Sequence, residues 1–233
     1  MRILKKILCF FVSAVILIAV FISIRNNTAI KNANAVTKVT MPKIILDAGH
    51  GGFDGGAVSG EVLEKNINLS FALEFEPLLK AFGYEVIMTR VGDYGTDDEG
   101  LATIRRKKVS DIKNRLNLVE NTNIECFVSM HQNIYSSTRF TGTQVFYSGN
   151  NEQGKTLAEN IQECVKTLVQ PNNNRRPKKC GKNIYLMYYT TKPAVLVECG
   201  FMSNDGELSN LLDDSYRGKI NLCILTGIIN GRV

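Results

Sequence analysis

Apolar positions along this chain follow two rhythms, and their alternation predicts the architecture. Short β-branched runs at Lys43 to Asp47, Glu85 to Thr89, Cys126 to Met130, Thr143 to Tyr147 and Ala194 to Glu198 read as strands. Between them, Asn66 to Phe82, Ala102 to Glu120, Gly154 to Val169 and Tyr216 to Ile229 repeat apolar residues at helical spacing. The first of these helices stops at Gly83, a residue free to adopt the left-handed turn that ends a helix. Alternation of this kind predicts a single α/β domain with a mostly parallel sheet flanked by helices. Two stretches break the rhythm and read as surface loops. Gly92 to Gly100 is rich in glycine and acid, and Gln170 to Cys180 holds three asparagines with Arg175, Arg176, Lys178 and Lys179. The usual meaning of such a basic cluster is a solvated loop; the sharper one is a contact for anionic glycan or a partner.

Ahead of the domain, Ile7 to Ile24 carries no charge over roughly 18 residues, the lower edge of what spans a hydrocarbon core of about 30 Å. The expected organisation is therefore a basic cytoplasmic tail (1–6), a transmembrane signal anchor (7–24), a polar linker (25–40) and a folded domain (41–233). A secretory signal peptide cut after Ala33-Asn34-Ala35 is the alternative, although that triplet lies about ten residues beyond the apolar run, further than cleavage favours. Either fate places the domain on the outer face of the cytoplasmic membrane.

With 233 residues, 44% of them apolar, the chain suffices for one well-packed domain. Its net charge of +6 suggests a nucleic-acid binder until the charges are located. Five of those six excess positive charges belong to Arg2, Lys5, Lys6, Arg25 and Lys31, in a stretch without acids, so the domain itself is nearly neutral and no nucleic-acid partner is expected. Beyond Cys9 in the apolar run, Cys126, Cys164, Cys180, Cys199 and Cys223 form no C-x-x-C pair and read as small buried hydrophobes.

The chain has only two histidines, and each follows an apolar strand: Ile44-Ile45-Leu46-Asp47-Ala48-Gly49-His50 and Phe127-Val128-Ser129-Met130-His131. Val195-Leu196-Val197 delivers Glu198 in the same way. Residues just past the carboxyl ends of parallel strands emerge on one edge of the sheet, where ligand sites form. The glycine-rich turn from Gly51 to Gly56 lets Glu64, at the start of the next helix, fold back towards His50. Two imidazoles and a carboxylate are a common ligand set for catalytic zinc. His50, Glu64 and His131 are thus expected to hold Zn2+, leaving Glu198 as general base. The glycine run lacks both phosphate-binding spacings.

In order and spacing, Asp47-Ala48-Gly49-His50-Gly51-Gly52, Glu64-Lys65-Asn66, Ser129-Met130-His131-Gln132-Asn133 and Val197-Glu198-Cys199-Gly200-Phe201-Met202-Ser203-Asn204 resemble the zinc-dependent N-acetylmuramoyl-L-alanine amidases of the amidase 3 type. The resemblance implies a six-stranded sheet and cleavage of the amide between the lactyl group of muramic acid and L-alanine in peptidoglycan. It also implies the same roles for His50, Glu64, His131 and Glu198, and it matches Arg90 and Arg115 to common basic positions, where a structural salt bridge competes with substrate contact. Asn133, two residues beyond a ligand, is expected to bind substrate or support the metal shell. Within the family, the N-terminal anchor, the bare catalytic domain, the stretch from Arg106 to Arg115 and Glu198-Cys199-Gly200 are similar to the germination-specific amidases of endospore formers, which act on spore cortex during muramic-δ-lactam formation. Ala48 stands where proline is usual, which should loosen the turn before His50 and would call for a regulatory partner protein to order the metal site. Three other readings remain: a peptidoglycan-binding pseudoenzyme with the same fold, a general cell-wall autolysin, and a hydrolase using Cys199 as nucleophile.

Overall fold

The computed structural model describes residues 41–231. The expected tail, anchor and linker of residues 1–40 lie outside them. Among the described residues, no helix is long and apolar enough to cross a membrane. The strands are β1 (Lys43–Ala48), β2 (Val58–Ser59), β3 (Val62–Leu63), β4 (Glu85–Met88), β5 (Cys126–Asn133), β6 (Gln144–Tyr147), β7 (Lys178–Lys179) and β8 (Ala194–Phe201). The helices are α1 (Glu64–Ala81), α2 (Ile104–Glu120), α3 (Glu152–Leu168), α4 (Tyr185–Tyr189), α5 (Asp205–Leu212) and α6 (Asp214–Asn230).

Six strands form the main sheet in the order β4-β1-β5-β8-β6-β7, while β2 and β3 make a separate hairpin. Strands β4, β1, β5 and β8 run parallel. Strand β6 is antiparallel to β8 and β7 follows β6, so the sheet is mixed, with a reversed edge. Strand β7 lies inside the basic stretch expected to be a loop, paired to Phe146 and Tyr147. Two exposed lysines make a short, charged edge strand, which discourages pairing with another chain.

Alternation along the strands sorts side chains to two faces. On one, Ile44, Leu46, Val128, Met130, Val195 and Val197 pack with Phe71, Phe75, Ile161 and Ile224 from α1, α3 and α6. On the other, Ile45, Phe127 and Leu196 meet Val119, Leu186 and Met187 from α2 and α4. Helix starts are capped by side chains: Thr103, Asn151, Asn204 and Asp213 each accept a first-turn N–H.

Candidate metal centre

Strands β5 and β8 run further than their apolar stretches suggest, so His131 and Glu198 lie within the ladder rather than beyond it. They are directly paired across the two strands. Parallel neighbours project to the same face, which puts the imidazole beside the carboxylate. His50 arrives differently, on a turn two residues past β1. The Gly49 N–H donates to the Met130 carbonyl at 3.1 Å, and His50 then adopts φ 62°, in the left-handed region that non-glycine residues seldom occupy. Gly51 and Asp54 exchange two backbone hydrogen bonds of 3.0 Å that close the loop. The β2–β3 hairpin completes the return, and Glu64 opens α1 with its N–H on the Ala57 carbonyl at 2.9 Å.

Glu64 sits between the rings, its Oε2 3.1 Å from His50 Nε2 and its Oε1 3.0 Å from His131 Nδ1. The ring centroids are 4.9 Å apart in an edge-on arrangement. Two glycines make this closeness possible. A Cβ on Gly49 would lie 2.3 Å from His131 Nε2, and one on Gly56 would lie 2.6 Å from Glu64 Oε2. Glu64 also accepts from the Ala57 and Gln132 N–H groups and from Asn68 Nδ2.

One donor atom from each of His50, Glu64 and His131 lies within 4.8 Å of the other two. Ligand atoms around tetrahedral zinc, about 2 Å from the ion, stand roughly 3.4 Å apart, so small adjustments let this donor set hold such an ion. Burial works against charge on Glu64, yet the contacts with His131 and His50 outweigh it and hold the carboxyl well below the usual range. Burial likewise opposes protonation of His50, but Asp54 and Glu64 prevail and raise it to about 9. A metal entering here must expel that proton.

Glu198 differs. Burial dominates and pushes its carboxyl up to about 7, with the neighbouring Glu64 charge acting in the same direction and His131 opposing. Its Oε2 is shut from water and has no hydrogen-bond partner. These groups open onto a cavity of about 370 Å³ whose other wall is apolar, with Phe127, Leu186, Met187 and Leu196, and whose lining includes Lys108 and Arg115.

The remaining candidate residues scatter. Asn133 ends β5 beyond a register shift after His131; its carbonyl accepts from the Met202 N–H at 2.7 Å, and it is absent from the cavity wall. Arg90 is fully buried and donates to the carbonyls of Ala48, Gly49, Lys65 and Gly92. Arg115 is bound to Asp47 and Asp111 and donates to the carbonyls of Ala48 and His50. Both arginines are structural, and they hold the turn that lacks proline at Ala48. Cys199 is fully buried in the core, where burial pushes its thiol far above the usual range, so it offers no nucleophile. Asp47 and Asp54 emerge as parts of the site's support. A carboxylate amid Ile44-Ile45-Leu46 was the available signal for Asp47; Ser129 and Thr89 donate to it at 2.6 and 2.7 Å.

Fold and site together define an enzyme of α/β architecture with a His, Glu, His donor set and a second, buried glutamate beside it at the carboxyl ends of the parallel strands. The chain belongs to the N-acetylmuramoyl-L-alanine amidase family, whose pattern matches residues 44–230. It is 37% identical over 186 residues to the germination-specific N-acetylmuramoyl-L-alanine amidase of Bacillus subtilis, covering 80% of this chain and 78% of that protein. Its fold is similar to that of the CwlD amidase from Clostridioides difficile, solved in complex with the GerS lipoprotein, with TM-score 0.78 and 39% identity over 82% of this chain and 98% of that one. The catalytic domain of the CwlV amidase from Bacillus (Paenibacillus) polymyxa matches with TM-score 0.63 and 30% identity, covering 82% and 97% of the two chains.

Proposed function

We propose that this amidase is zinc-dependent, cleaves the lactyl–L-alanine amide of spore-cortex peptidoglycan on the way to muramic-δ-lactam, and works on the outer side of the membrane to which residues 7–24 tether it. The observation that carries the chemistry is the cluster of donor atoms on His50, Glu64 and His131 within 4.8 Å, with Glu198 paired to His131 one strand away. The cortex role rests on the similarity to the germination-specific enzyme. A partner protein on the exported side belongs to the same reading, supported by the similar amidase solved with a lipoprotein.

His50, Glu64 and His131 would hold the ion, which when bound acts as a Lewis acid on the amide carbonyl and on nearby water. Glu198, whose side chain lines the cavity, takes a proton from the attacking water at its carboxylate. The water oxygen bonds to the lactyl carbonyl carbon, the C–N bond breaks, and Glu198 returns the proton to the leaving alanine nitrogen. A carboxyl poised near neutrality serves both halves of that exchange. The products are a lactyl carboxylate on the glycan and a protonated peptide amine, which takes up the carboxyl proton.

Mass analysis of muropeptides treated with the zinc-loaded protein tests the reading. Release of stem peptide with a free N-terminal alanine is expected, with loss of release on chelation and no loss in Cys199→Ala. Cleavage of glycosidic bonds instead, or release that survives chelation, would refute it. Gly49→Ala forces a methyl group into the His131 ring, and zinc affinity should fall by roughly tenfold or more in a chelator competition assay.

A further inference from the structure

We infer that Asp54 is a positioning residue for the metal centre, holding His50 with Nε2 turned towards Glu64, and that Lys108 moderates it by competing for the same carboxylate. This rests on the zinc reading above. Among the described residues, the two histidines differ in their polar contacts: His131 has Glu64 alone, and His50 has Glu64 and Asp54. His131 is a strand residue whose ring lies against Gly49, where even a methyl group has no room. His50 stands on a turn between glycines, with 23% of its side chain exposed. The Gly56 backbone packs against the Cδ2 edge of that ring, where an added Cβ would stand 2.7 Å away, so glycine backbone borders both rings and what sets His50 apart is a second polar contact, at Nδ1. Among the described residues, Asp54 is the only side chain besides Glu64 that hydrogen-bonds either ring.

The contact is specific in its atoms. Asp54 Oδ2 lies 3.0 Å from His50 Nδ1, on the opposite side of the ring from Glu64. A proton held at Nδ1 leaves the Nε2 lone pair directed at the site. Once Glu64 serves a metal it no longer fixes the ring by a hydrogen bond, and Asp54 remains. Carboxylates that accept from a ligating imidazole fix its tautomer and raise its basicity as a ligand. The loop is built to return this carboxylate: Asp54 exchanges both backbone hydrogen bonds with Gly51, and its Oδ1 accepts from the Gly56 N–H at 3.3 Å. Lys108 reaches the same Oδ1 from α2, with Nζ at 2.9 Å and 54% of its side chain exposed. An ammonium there draws negative charge away from Oδ2 and so weakens the push on His50. That influence should fade as salt screens it.

Zinc affinities of the full-length protein, wild type, Asp54→Ala, Asp54→Asn, Lys108→Met and the Asp54→Ala/Lys108→Met double variant, measured by chelator competition, test this. Asp54→Ala should bind zinc about 10- to 100-fold more weakly. Asp54→Asn keeps an acceptor and should lose less. Lys108→Met should bind a few-fold more tightly when Asp54 is present and be without effect when it is not. Nitrogen NMR of the zinc-loaded protein should show His50 protonated at Nδ1 in wild type and a mixed population in Asp54→Ala. A merely structural Asp54 would produce neither the dependence on Lys108 nor the tautomer change. Should Asp54→Ala fail to fold, Asp54→Asn and the half-exposed Lys108→Met carry the comparison. Equal affinities across the set, or a Lys108→Met effect that persists without Asp54, would overturn the inference and leave the zinc reading intact. Absence of zinc binding by the wild-type protein would overturn both.

Discussion

Glu198→Gln is expected to lower kcat for muropeptide cleavage by about 10²- to 10⁴-fold, the range associated with loss of a positioned acid–base group. Zinc content should be unchanged, because Glu198 is not among the three residues whose donor atoms cluster. Glutamine matches the shape of the side chain and can still orient water, but it cannot accept the proton and hand it on. The effect should therefore fall on kcat, with KM nearly unaffected. Folding should not suffer either, since the wild-type Oε2 is buried without a partner and its carboxyl is already pushed up to about 7 by burial. A variant that retains zinc and near-normal turnover would remove Glu198 from the mechanism.

The second large effect is on stability. Arg115→Met should destabilise the domain by about 3–5 kcal/mol, the penalty for leaving one partner of a buried ion pair uncompensated. For a domain of this size that lowers the thermal midpoint by roughly 10 °C. Asp47 stays buried, keeps its bonds from Ser129 and Thr89, and loses its countercharge; the turn carrying His50 loses two carbonyl contacts besides. The pH dependence follows. In the wild type, burial tends to raise Asp47, but Arg115 together with the hydrogen bonds from Ser129 and Thr89 outweighs it, and the carboxyl titrates below its ordinary value. Its stabilisation is thus complete above the unfolded-state pKa of about 3.9 and is lost as pH falls through the lower folded value. Without Arg115 burial wins, Asp47 takes up a proton more readily, and the gap between variant and wild type should narrow towards acid pH. Arg115→Lys should recover little, because one ammonium cannot serve Asp47, Asp111 and two carbonyls together.

Much of the candidate site's placement was legible because it is attached to strands with unmistakable apolar runs. His131 and Glu198 were placed on one edge from Phe127-Val128 and Val195-Leu196-Val197, and the structure pairs them directly. The glycines around His50 announced a tight turn, though not that Gly49 clears space for the opposite ring. What escaped notice was short or reversed. The β2–β3 hairpin has two-residue strands, too brief for any periodicity. Strand β7 is two lysines, whose charge reads as loop, and the direction of β6 cannot be told from alternation alone. Helix α5 was missed despite an available signal. Asn204 and Glu207 are spaced as a capping box, and the Asn204 side chain does accept from the Glu207 N–H at 3.0 Å. Glu207 spends its own carboxylate on the N–H groups of Gly142 and Phe201 instead, tying the segment that leads into β6 to the end of β8.

Because the proposed base and one proposed ligand are rungs of the same backbone ladder, their separation is inherited from strand pairing and not from any loop. Sliding β8 by one step along β5 would send the carboxylate to the far side of the sheet, among the core residues, and extinguish the chemistry at a stroke. The placing of His50 and Glu64 is a separate matter, set by the turn that Gly51 and Asp54 close and by the hairpin that leads into α1.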